Sequence, residues 1–91
     1  MREIEIEYCV PCGYLGRAEQ VEHALLSELG RRLDSLRLKP SRGGVFQVRL
    51  DGEPIYDRQA DPFDADEIVR RAAERLGQAA GEPVALRHHP G

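Results

Sequence analysis

The sequence predicts an α/β (α+β) two-layer sandwich of order β-α-β-β-β-α, in which a four-stranded mixed sheet carries both helices on one face. Three observations predict it. Strict alternation of apolar and polar residues marks short segments near residues 3–8, 35–39 and 45–50. Apolar residues at three- and four-residue steps mark two longer segments, and an Asp-Gly pair joins the last two strand candidates.

The first strand, EIEIEY at 3–8, puts Ile4, Ile6 and Tyr8 on one side and Glu3, Glu5 and Glu7 on the other. From about Pro11 to Gly30 the period lengthens. Leu15, Ala18, Val21, Leu25 and Leu29 form the stripe of an amphipathic helix, with Gly30 near its C-terminal cap and Leu33 able to continue the stripe. Ser35–Lys39 alternates again and stops at Pro40, after which SRGG forms a loop. Val45–Leu50 places Phe46, Val48 and Leu50 on one face. Asp51-Gly52 turns the chain into Glu53–Arg58, whose early Pro54 marks an edge strand because proline cannot donate to a ladder. Asp64, with Glu67 three residues on, opens the second helix, whose buried stripe is Ile68, Val69, Ala72 and Leu76. Residues 1–80 make one domain, and 81–91 lack periodicity and read as a flexible tail.

The β-α-β unit requires a right-handed crossover between parallel strands, and the hairpin adds two antiparallel ones. Clean alternation implies a sheet covered on one face only. If the first strand lies between the second and third, its glutamates fall beside Arg37, Lys39 and Arg49 and need no ligand to explain them.

Composition narrows the function. A length of 91 residues and a net charge of −3, with arginines interleaved among acids, argue against a nucleic-acid partner. No apolar run is long enough for a bilayer, and the N-terminus lacks a signal-peptide core, so a cytoplasmic location is expected. Hydrolase chemistry has no support, since no Ser/His/Asp set, phosphate loop or carboxylate pair is visible.

Both cysteines, Cys9 and Cys12, lie in YCVPCGY at the strand-to-helix junction. Three uses compete. As a structural staple, a bridge closing so short a loop contributes only about 2 kcal/mol. A zinc site needs two more ligands; His23 lies too far along the helix, and His88 and His89 fall in the tail. A redox dithiol uses every local feature. Residues spaced this way on a first helical turn bring their Cα atoms to about 5 Å, within disulfide reach. A helix N-terminus favours thiolate over thiol, Pro11 suits a first turn, and Gly13 leaves the sulfur uncovered. No metal and no cofactor is expected.

At this point the chain resembles the selenoprotein W/T/H-like (Rdx) proteins of thioredoxin-like fold, in their short prokaryotic form. The resemblance rests on YCVPCGY at 8–14, Arg17-Ala18, PSRGGVF at 40–46 and D-G-x-x-I-Y at 51–56, and spans about residues 3–80. It implies thiol-disulfide exchange in cell redox homeostasis, with glutathione or a thioredoxin-type thiol as partner and an unspecified protein disulfide as substrate. Selenocysteine takes the second motif position in selenium-containing members, which corresponds to Cys12 and favours it as attacker, with Cys9 resolving. Thioredoxin logic favours the reverse. Pro40 is the candidate for a cis-proline loop; alternatively Gly43 and Gly44 keep the backbone thin beside the sulfurs.

The expected contact surface comprises Val10, Pro11, Gly13, Tyr14, Arg17, Ser41, Gly43 and Gly44, with Arg17 either facing an anionic partner such as a glutathione carboxylate or forming a plain i,i+4 ion pair with surface acids. Tyr8 reads as core, and Asp57, Arg58 and Asp61 as ordinary polar loop. Two functions follow: a small oxidoreductase, or a non-catalytic module, monomeric or homodimeric, whose dithiol senses redox state.

Overall fold

A computed structural model describes residues 2–79, and the expected tail at 81–91 lies outside them. The elements are β1 (Glu3–Cys9), α1 (Leu15–Leu29), a 3-10 turn (Gly30–Arg32), β2 (Ser35–Ser41), β3 (Phe46–Leu50), β4 (Glu53–Asp57) and α2 (Ala65–Ala79). The sheet has the order β2-β1-β3-β4. β1 runs parallel to β2 and antiparallel to β3, and β4 is an edge strand antiparallel to β3. This is the predicted mixed two-layer architecture.

The alternation of β1 and β3 decides where the core sits. Ile4, Ile6 and Tyr8 pair across the sheet with Leu50, Val48 and Phe46, so one face is continuously apolar. Ala18, Val21, Leu25 and Leu29 of α1 and Ile68, Ala72 and Leu76 of α2 join the same cluster, which puts both helices on that face. The other face carries charge. Arg49 donates to Glu5 at 2.9 Å and to Glu7 at 3.0 Å, while Arg37 reaches Glu5 at 2.6 Å. Hydrogen bonding to Ser41 and then to Arg49 lowers the Glu7 carboxyl below its usual range. The three glutamates do not enter a packed layer; Glu3 instead begins the strand, its N–H donating to Asp51 at 2.8 Å.

Turn chemistry explains the hairpin. Asp51 and Gly52 both take positive φ, 53° and 85°, the pairing a two-residue loop between twisted strands demands. One residue more on β4 than on β3 shifts the register at Val48/Arg49. The resulting bulge lets the consecutive Ile55 and Tyr56 both become buried. Asp64 caps α2, accepting from the Glu67 N–H at 3.1 Å. Only half of the capping box forms, because the Glu67 side chain turns to Arg70 and Arg71.

Three expectations need correction. α1 begins at Leu15, not at Pro11, because Gly13 takes φ 78° and breaks the helical path. Leu15, displaced to the helix start, is 45% exposed and leaves the buried stripe. Gly30 caps α1 as expected, in a right-handed conformation (φ −54°), and the chain tightens into a 3-10 turn that carries Leu33 onto the core. Pro40 does not end β2, which continues to Ser41; as an edge strand it tolerates a residue without an N–H.

Candidate functional site

Cys9 is the last residue of the central strand β1, and Cys12 lies in the turn that follows. The turn is closed by the Gly13 N–H donating to Val10 at 3.0 Å and the Tyr14 N–H donating to Cys9 at 3.3 Å. Proline second and glycine fourth suit such a turn. The two cysteines are joined by a disulfide with Cα atoms 5.3 Å apart. The expected separation is therefore met by a turn rather than by a helical one.

The two sulfur-bearing residues have different surroundings. Cys9 is 1% exposed, its N–H donating to Val45 at 2.8 Å, whereas Cys12 is open to solvent. Tyr14 precedes α1 without any side-chain cap on the helix, and no acidic residue occupies the first turn. The positive end of the helix is thus unneutralised beside the turn.

The glycine loop flanks the turn. The Val10 N–H donates to Ser41 at 2.9 Å, so the end of β2 at Ser41 and Val45, just before β3, hold the motif from both sides. Between them Gly43 and Gly44 take φ 81° and 79°, and a Cβ on Gly43 would meet nothing within 4 Å. Positive φ, rather than crowding, is what requires glycine at both positions. No peptide bond among the described residues is cis, so Pro40 is trans and the cis-proline expectation does not hold. Pro40, Ser41 and Arg42 instead line a shallow groove of about 300 Å³ with Val10 and Pro11.

On the helix side, Tyr14 meets Phe46 edge-on at 6.1 Å, and Phe46 in turn meets Tyr56 and Phe63. Arg17 lies 5.2 Å from both the Tyr14 and the Phe63 ring centroids. Arg58 lies 5.6 Å from the Tyr14 ring and donates to the Gly44 carbonyl at 3.2 Å. The structure therefore gathers Val10, Pro11, Gly13, Tyr14, Ser41 and both loop glycines around the disulfide, with Arg17 one helical turn beyond.

Sequence reasoning missed Arg58, Phe63 and Arg42. Arg58 and Asp61 lie in the turn after β4 as expected, whereas Asp57 ends that strand; Asp57 accepts from Gln47 at 3.1 Å, and Asp61 pairs with Arg71 at 3.0 Å. The Asp61 carbonyl accepts the Tyr56 hydroxyl at 3.2 Å, and burial raises that phenol above its usual pKa. Arg58 lies in the turn just after β4, and nothing in the local sequence marks its approach to Tyr14. Among the described residues no group of three or more His, Cys, Asp or Glu converges as a metal site would require, and His88 and His89 lie outside them. No helix among the described residues is long and apolar enough to cross a membrane.

Comparison with protein-family models matches residues 3–74 to the Rdx family. Two solved structures share the fold. One, a protein from Bordetella parapertussis, is 33% identical, with a TM-score of 0.76 over 81% of this chain and 96% of that one. The other, a selenoprotein W-related protein from Vibrio cholerae, is 25% identical, with a TM-score of 0.76 over 82% and 96%. No curated protein matches the chain.

Proposed function

The chain belongs to the Rdx family, and on that premise we propose that it is a thiol-disulfide oxidoreductase of cell redox homeostasis acting through Cys9 and Cys12. The observation that carries this reading is the unequal exposure of two disulfide-bonded cysteines, Cys9 buried at the end of the central strand and Cys12 exposed in the turn beyond it. In the reduced protein the Cys12 thiolate attacks a partner disulfide and forms a mixed disulfide. Cys9 then attacks Cys12, closes the internal bond and expels the partner thiol. The uncapped start of α1 favours the thiolate at the attacking position. Burial protects Cys9 from partners while leaving it in reach of Cys12.

Val10, Pro11, Gly13 and Ser41 border the entry to Cys12, Gly43 and Gly44 keep the adjoining backbone bare, and Tyr14 and Arg17 face the approaching partner. Glutathione or a thioredoxin-type thiol in the cytoplasm would return the dithiol to its reduced state. The test is reduction of insulin or glutathione disulfide by the wild type, Cys9→Ser and Cys12→Ser. Turnover lost with either substitution supports the reading. Absence of turnover in the wild type, with redox-dependent partner capture instead, supports a sensing module.

A further inference from the structure

We propose that Arg17 and Arg58, held on the faces of Tyr14, form a carboxylate seat beside the disulfide that selects acidic cysteine-bearing peptide segments as exchange partners. The inference rests on the redox reading above and adds the chemistry of the substrate.

Away from the motif, five of the eight described arginines are paired with acids, and Arg2, Arg31 and Arg32 are not. Arg37, Arg49, Arg70, Arg71 and Arg75 all lie within 4.0 Å of a carboxylate. Arg17, Arg42 and Arg58 border the motif without a carboxylate that close among the described residues. The nearby acids are already engaged, Glu7 by Arg49, Asp57 by Gln47 and the Gln59 N–H, and Asp61 by Arg71. Stacking holds a guanidinium plane in place without neutralising it, and its edge N–H donors stay available for a bidentate carboxylate. Arg17 sits between two rings, and Arg58 spends one N–H group on Gly44. Both are therefore ordered before a partner arrives, which reduces the entropy lost on binding. Arg42, lining the groove on the far side of the turn, extends the basic rim.

The local field opposes the global one. A net charge of −3 would favour basic peptides, so a preference for acidic ones isolates the seat. The probes are three synthetic peptides of equal length, with the cysteine flanked by Glu, Ser or Lys and carried as a 2-pyridyl disulfide. The Cys12 thiolate attacks the peptide sulfur, the peptide–pyridyl bond breaks, and neutral thiopyridone leaves with a proton. Cys9 then closes the Cys9–Cys12 bond and releases the peptide thiol, so two electrons pass from the dithiol to the peptide disulfide.

Thiopyridone release by the reduced wild type is expected to be about five- to tenfold faster with the Glu peptide than with the Lys peptide at low salt. The ratio should shrink at high salt. Arg17→Gln, which leaves the Arg58–Gly44 bond in place, should lose part of it, and Arg17→Gln/Arg58→Gln should reverse it. Equal rates, or a Lys preference in the wild type, overturn the seat while leaving the redox reading intact. No release with any peptide overturns the redox reading itself and the seat with it.

Discussion

Cys9 is 1% exposed while Cys12, bonded to it and 5.3 Å away between Cα atoms, faces solvent. Backbone pairing fixes this inequality: Cys9 belongs to the central strand, between β2 and β3, and Cys12 to the turn beyond its end. Alkylation of the reduced protein should therefore modify Cys12 at least about tenfold faster than Cys9, since access and thiolate character govern the rate. Timed iodoacetamide labelling with peptide mapping measures it.

Backbone conformation, not space, constrains the glycine loop. Gly43→Ala and Gly44→Ala should each destabilise the protein by about 1–2 kcal/mol, the cost of left-handed φ for a residue with a Cβ. The nearest atom to a Cβ on Gly44 would be on the flexible Arg58 side chain at 3.9 Å, so crowding adds little. Urea unfolding of both variants checks the prediction.

Acid should weaken α2 through Glu67. Hydrogen bonds from Arg70 and then Arg71 hold this carboxyl at about 2, below the ordinary 4.5. A pKa depressed in the fold contributes stability above the unfolded value, and that contribution is lost as pH falls from 4.5 through about 2. Melting temperatures across that range should fall less steeply for Glu67→Gln than for the wild type. The Asp64 cap survives the substitution because it uses the Glu67 backbone N–H.

Much of this architecture was legible in the residues. Period-two alternation in EIEIEY set the register that later placed Arg49 between Glu5 and Glu7. Asp51-Gly52 identified its own turn, and Pro54 its edge. The start of α1 was misread because the apolar spacing of Leu15 suits a helix whether or not its side chain is buried. Gly13, read only as uncovering a sulfur, in fact redirects the chain. Pro40 misled in the opposite sense, because edge position is a tertiary property that a strand's own residues do not state. Arg58 stayed hidden for a similar reason: its partners, Tyr14 and Gly44, lie 44 and 14 residues away in sequence and meet it only after the sheet forms.

The most direct test of the account is a redox titration of the wild type with mass-spectrometric trapping of mixed disulfides. A reversible two-electron couple between about −270 and −120 mV, with partners captured on Cys12, is the predicted result. A pair that cannot be cycled, or partners trapped only on Cys9, would contradict it.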